Sequence, residues 1–170
     1  NGFNPVMTIG AQIAEAMPVG LDHRASIARS TELLRSVGLT DAAALLRLYP
    51  HELSGGMRQR VLIAMSLAAS PKMLIADEPT TALDATVQIN VLDTLRRLNR
   101  ESHLALLLIT HDLSIVAELC NRVYVMHQGL VVEEADIIEL FEAPKSGYTA
   151  GLISAARYLR ARRQRADPGS

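Results

Sequence analysis

The run Lys72-Met73-Leu74-Ile75-Ala76 constrains this chain more than any other stretch. It is too short for a typical helix, it is almost wholly apolar, and it is cut off by Pro71 on one side and by the acidic pair Asp77-Glu78 on the other. Such a run predicts a strand buried on both faces, the pattern of a parallel sheet covered by helices. Leu104 to Ile109 predicts a second buried strand. Between the two, Asp84 can cap a long helix reaching about Arg100, and beyond them Asp112 can cap a helix to Cys120. Val123 to Met126 and Leu130 to Val132 read as two further strands joined by a turn at Gln128-Gly129. Strands alternating with helices imply an α/β layer with a mainly parallel sheet.

The chain before this layer reads as helices. Thr8 to Met17 is apolar at helical spacing and stops at Pro18. Asp22 can cap a helix through Arg35, with Gly38 just past its end. Thr40 or Asp41 opens a short helix to Leu48, and Pro50 closes the region. A helix from about Met57 to Ala69 ends at Ser70-Pro71. The expected organisation is therefore a helical region over 1–70, an α/β core over 71–135, and a helical extension with an arginine-rich tail over 136–170.

Composition narrows the functional classes. Apolar residues make up 49% of the 170, enough to build a core. With 17 basic and 18 acidic side chains the net charge is −1, which gives no general reason to expect nucleic-acid binding. A single cysteine, Cys120, excludes an intramolecular disulfide and suits a reducing compartment. No run approaches the roughly 18 apolar residues of a membrane-spanning helix. The first residues, Asn1-Gly2-Phe3-Asn4-Pro5, carry no initiator Met and no signal-peptide pattern. A soluble, cytoplasmic and incomplete chain is the expectation.

Three segments carry residues suited to chemistry. Asp77 and Glu78 close a buried strand at its C-terminal end, the edge where ligands of open α/β sheets sit. A carboxylate there can hold Mg²⁺, usually through water, and a second can orient or deprotonate an attacking water. Equally, the pair could be surface acids at a strand end. His111, in Ile109-Thr110-His111-Asp112, ends the next strand, and its imidazole could hydrogen-bond a terminal phosphate or simply precede a helix cap. Leu53-Ser54-Gly55-Gly56-Met57 opens a helix with two glycines, whose unshielded N–H groups and helix dipole suit an anion. An ordinary N-cap turn at Ser54 explains that segment as well. His23, His51, His103 and His127 have no such neighbourhood.

In order, the chain gives Leu-Ser-Gly-Gly with Gln59-Arg60, an apolar strand with Asp-Glu-Pro, Ala82-Leu83-Asp84, and Thr110-His111-Asp112. This order resembles the nucleotide-binding domain of the ABC ATPases, a partial P-loop NTPase fold with a helical subdomain. The resemblance spans essentially the whole chain. Tyr49 to Arg60, Ile75 to Asp84, and Ala143-Pro144 followed by Gly147 to Ile153 are similar to the dipeptide, oligopeptide and nickel importer ATPases. Asn4 to Gly10 resembles the stretch just after that family's Q-loop.

The resemblance implies roles. Leu53, Ser54, Gly55, Gly56, Met57 and Gln59 would belong to the signature segment, which acts on ATP held by a partner domain. Asp77 would serve Mg²⁺, Glu78 the attacking water, His111 the terminal phosphate, and Asp84 the D-loop. Implied cofactors are ATP and Mg²⁺. Implied partners are a second ABC ATPase subunit, identical or related, transmembrane permease subunits, and indirectly a substrate-binding protein, at the cytoplasmic face of the membrane. Met57 stands where the wider family often has Gln. No Gly-x-x-x-x-Gly-Lys-Ser/Thr occurs in the 170 residues, and the Q-loop glutamine and adenine-stacking aromatic are missing too. All three would precede Asn1, so these residues are expected to be a C-terminal part, inactive alone. Two other readings stand beside a peptide or nickel importer ATPase: an ABC-type ATPase acting outside transport, and a non-catalytic pairing fragment. The arginines Arg157, Arg160, Arg162, Arg163 and Arg165 suit either a solvated helix or contact with acidic lipid.

Overall fold

The computed structural model describes residues 2–166, with side chains as far as Tyr158. The chain forms two compact units, 1–109 and 110–170. The division differs from the expected breaks after residues 70 and 135. The helical region and the first two strands share one core, which outweighs the change in element type between them.

In the first unit, α1 (Ile9–Glu15) starts at Thr8, whose hydroxyl accepts the Ala11 N–H, and α2 (His23–Ser36) starts at Asp22, whose carboxylate accepts that of Ala25. A short α3 (Ala42–Leu45) and a single 3-10 turn (Pro50–Glu52) lead to α4 (Gly55–Leu67). Then come β1 (Met73–Asp77), α5 (Ala85–Ser102) and β2 (Ala105–Ile109). The strands β1 and β2 run parallel, in register from Met73 beside Ala105 to Asp77 beside Ile109, with α5 as the crossover. The core joins Ile9 and Ile13 of α1, Leu34 of α2, Val61 of α4 and Val91 and Leu95 of α5 to Leu74 and Ala76 of β1.

One expectation fails in this unit. The two strands are not buried on both faces. Leu74 and Ala76 enter the core, with Leu106 and Leu108 packed against it, while Met73 is 54% exposed, Ile75 60%, Leu107 45% and Ile109 48%. A strand turns successive side chains to opposite faces, and the described helices of this unit pack with only one of them. A continuous apolar run therefore becomes half core and half exposed apolar surface.

Gln12 has a structural role. It is buried, its side-chain oxygen accepts the Asn4 N–H, and its amide donates to the carbonyls of Asn4 and Met7. The side chain thus holds the chain entering α1 as a closed turn and satisfies backbone groups that have no ladder partner.

The second unit contains α6 (Leu113–Leu119), β3 (Arg122–His127), β4 (Leu130–Asp136), α7 (Ile137–Glu142) and α8 (Gly147–Ala166). The strands β3 and β4 form an antiparallel hairpin. Its turn places both Gln128 (φ 51°) and Gly129 (φ 79°) in the left-handed region, the geometry whose twist matches the flanking strands. A bulge between Val125 and Met126 shifts the register by one residue. Val125, Ala135, Leu140 and Ile153 form the unit's small core.

A buried acid organises this unit. Glu133 on β4 is only 7% exposed, and its two carboxylate oxygens accept the N–H groups of Lys145 (2.8 Å) and Ser146 (3.0 Å), at the start of α8. The Lys145 amide, then the buried Thr149 hydroxyl, then the Ser146 amide hold this carboxyl below its usual range. The Thr149 hydroxyl lies beside the carboxylate without a hydrogen bond of regular geometry. A carboxylate at a helix N-terminus gains both from the unpaired N–H groups and from the helix dipole.

Among the described residues, no helix is long and apolar enough to cross a membrane. Arg157 donates to the carbonyl of Phe141 (2.9 Å). The side chains of Arg160, Arg162, Arg163 and Arg165 lie outside the described residues, and so does the expectation attached to them.

Candidate functional site

Asp77 is the last residue of β1 and its side chain is exposed. Glu78 follows with φ 45°, a left-handed conformation that costs a residue with a β-carbon free energy and is enriched at functional sites. Hydrogen bonds hold it there. Its N–H donates to the carbonyl of Ile109 at the end of β2 (2.9 Å), and the Thr81 hydroxyl donates to its carboxylate (2.8 Å). The loop then turns tightly. Thr81 N–H donates to Glu78 O and Leu83 N–H to Thr80 O, and Ala82 is again left-handed at φ 64°. Thr80 and Pro79 are buried beneath it. The loop ends at Asp84, whose carboxylate accepts the Val87 N–H (2.9 Å) and so caps α5. In this structure Asp84 is a helix cap, whatever else it does.

The second segment faces this loop within the same unit. Leu53 is buried and anchors the turn. The Ser54 hydroxyl accepts the Met57 N–H (3.3 Å), capping α4. The N–H groups of Gly55 and Gly56 open that helix, where no intrahelical acceptor exists. A β-carbon on Gly55 would lie 3.5 Å from Leu83, an ordinary contact. One on Gly56 would lie 2.2 Å from Cγ1 of Val87. Gly56 is therefore needed for helix packing as well as for an open N-terminus. Met57 is half-buried against the core and Gln59 is half-buried on α4. Arg58 ties the turn before the helix, donating to the carbonyl of Pro50 (2.8 Å).

His111 belongs to the second unit. It is exposed, between Thr110, whose hydroxyl accepts the Asp112 N–H (3.1 Å), and Asp112, whose carboxylate caps α6 by accepting the Ser114 N–H (2.8 Å). The structure thus brings Gly55 and Gly56 against Leu83 and Val87 in one unit, while His111 stands in the other. Two residues escaped the sequence reasoning. Thr81 orients Glu78, and its hydroxyl three residues on is the signal that could have shown it. Val87 carries no chemical group, so nothing in its identity pointed to it.

The donor set can be weighed against the implied ligands. No group of three or more His, Cys, Asp or Glu gathers into a metal site among the described residues. Mg²⁺ keeps most of its water, so the single carboxylate of Asp77 at a strand end fits such an ion without a protein cage. For a phosphate, the open N–H groups at Gly55 and Gly56 and the dipole of α4 fit.

Comparison with known proteins sets this geometry in a family. Residues 2–81 match the family model of ABC transporters. The chain is 49% identical over 155 residues to the dipeptide transport ATP-binding protein DppD of Escherichia coli, a match covering 90% of this chain and 47% of that protein. It is 48% identical over 159 residues to the glutathione import ATP-binding protein GsiA of Pectobacterium atrosepticum, covering 92% of this chain and 26% of that protein. The chain therefore spans about half the length of such relatives, or less. Its fold is similar to the dimeric ATP-binding cassette MJ0796 in a post-hydrolysis state bound to ADP and Pi (TM-score 0.68, 27% identity, 79% of this chain and 58% of that one). It is also similar to cbiO1 of Clostridium perfringens, part of the ABC transporter complex cbiONQ (TM-score 0.70, 29% identity, 81% and 54%). With nine-tenths of its length matched at nearly half identity and its fold matched as well, this chain belongs to the ABC transporter ATP-binding family and forms part of an ABC ATPase domain.

Proposed function

We propose that these residues serve as part of the ATP-binding, ATP-hydrolysing subunit of an importer for peptides or peptide-like solutes. One observation carries the reading: 48–49% identity along nine-tenths of the chain to proteins named for dipeptide and glutathione import. Nickel, expected from the sequence as an alternative cargo, has no separate support. The subunit would work in a pair, on transmembrane permease subunits at the cytoplasmic face of the membrane, with a substrate-binding protein upstream of them. On this reading 1–70 meets the membrane subunits and the partner's nucleotide, 71–135 performs hydrolysis, and 136–170 is an extension.

The roles assigned on this reading come from the family resemblance, and the geometry around Glu78 and Ser54 is compatible with them. Asp77 would hold Mg²⁺ through water, and the ion, when bound, would neutralise charge on the phosphates. Glu78 orients and deprotonates the attacking water. Its left-handed backbone and the Thr81 hydroxyl fix the carboxylate in advance, so no reorganisation is needed at the moment of reaction. His111 donates to the terminal phosphate. The N–H groups of Gly55 and Gly56, with Ser54, meet the nucleotide of the partner subunit.

The test is a chimera in which this chain replaces the matching 155 residues of DppD. The expected result is ATP hydrolysis and dipeptide uptake in cells lacking DppD. A folded chimera that hydrolyses ATP but docks on no permease would favour an ATPase outside transport. One that pairs with its partner subunit but never hydrolyses would favour a pairing fragment.

A further inference from the structure

The contact between Gly56 and Val87 joins the two segments on which the proposed chemistry rests. Gly56 lies in the first turn of α4, next to Ser54 and Gly55, and Val87 lies in the first turn of α5, directly after the loop that begins at Glu78. A β-carbon on Gly56 would stand 2.2 Å from Cγ1 of Val87, a distance real side chains do not reach, but 3.4 Å from Cβ and 3.5 Å from Cγ2. The obstacle is thus one methyl group. Valine is branched at Cβ and stiff in a helix, so that methyl cannot swing away cheaply. The Asp84 carboxylate fixes Val87 through its N–H, and Leu83 closes over Gly55 beside it.

We propose that Val87 is a positioning residue: its methyl group, seated in the gap left by Gly56, locks the Ser54–Gly55 turn to the Glu78–Asp84 loop so that the two hold one relative placement. The residue touches no ligand. It acts through the two segments, one offering N–H groups to an anion and the other carrying the acid. The roles of those segments rest on the function proposed above, while the lock itself rests on geometry alone.

A rescue cycle tests it. Gly56→Ala, Val87→Ala and the double variant are prepared in the 170-residue chain and in the DppD chimera. Alanine is a better helix former than glycine, so without the lock Gly56→Ala would melt at or above the parent. With it, Gly56→Ala should melt lower by roughly 4–8 °C, and Val87→Ala, which removes the methyl group, should recover most of that shift in the double variant. In the chimera, with folded protein matched between samples, Gly56→Ala should cut ATP hydrolysis at least about tenfold and the double variant should regain most of it. A Gly56→Ala protein that does not fold while the double variant does gives the same support. The proposal is overturned if Gly56→Ala melts no lower than the parent, if the double variant is no better than Gly56→Ala in stability, or if stability returns without hydrolysis. If the unsubstituted chimera does not hydrolyse ATP, the functional reading fails, and the melting cycle still decides the lock.

Discussion

Glu78 combines a carboxylate with a backbone conformation that favours glycine. The strain is offset by the hydrogen bond to Ile109, and the side chain is held by Thr81. Glu78→Gln in the chimera keeps the shape and removes the proposed base. Hydrolysis should fall by about 10²–10⁴-fold while ATP still binds, and near-normal turnover would assign the role elsewhere. Glu133 makes a different prediction. Its folded pKa is lowered, so its contribution to stability is complete above the ordinary glutamate range and is lost as pH falls through the folded value. Glu133→Gln should therefore melt below the wild type at neutral pH, and the two curves should converge only once the pH falls below the ordinary glutamate range. Convergence at a higher pH, or a constant gap, would contradict the assignment. The position of Asp77 and Glu78 at the end of a strand was legible in the sequence because the acidic pair cuts off an apolar run. The left-handed angle was not, because it depends on a hydrogen bond to a strand far along the chain.

At the scale of elements, caps were the most legible feature. Asp22, Asp84 and Asp112 each start the helix expected of them, because a cap bonds to an N–H two or three residues away. The end of β4 was missed, and α7 was expected only as an undivided part of the helical extension from residue 136. Glu133-Glu134 looks like the end of a strand, yet pairing with β3 continues to Asp136, which caps α7. What makes a buried acid tolerable at Glu133 is the start of α8, a partner no local window contains. The turn at Ser54 gives the prediction at this scale. Ser54→Arg puts a bulky cation over the open N–H groups of α4. In the chimera, ATP-driven pairing should fall steeply while binding to one subunit changes little. Monomer affinity and dimerisation are measured separately, and equal loss of both would refute action on the partner's nucleotide.

For the whole molecule, the 170 residues contain no Gly-x-x-x-x-Gly-Lys-Ser/Thr, the sequence whose N–H groups and lysine grip the β- and γ-phosphates. The purified chain should release no phosphate from Mg-ATP and bind it no tighter than millimolar. Calorimetry and a phosphate-release assay check both, and micromolar affinity with turnover would reveal a nucleotide site of another kind. The fold class was legible from strand–helix alternation because a crossover helix between two apolar runs leaves little choice of topology. Burial was not, since a run such as Met73 to Ala76 reports that its side chains are apolar, and only the packed neighbours decide which of them are covered.

The left-handed angle at Glu78 also makes the chain a record of conflicting demands. Foldability alone favours glycine or asparagine at this position, because both accept the angle at little cost. A library randomised at residue 78 and sorted only for soluble, protease-resistant protein should drift towards those two residues. Sorted instead for growth on an imported dipeptide, the chimera's library should return to glutamate. The gap between the two outcomes would measure, in survivors rather than in rates, how much fitness the proposed catalytic carboxylate confers beyond the conformation it disturbs.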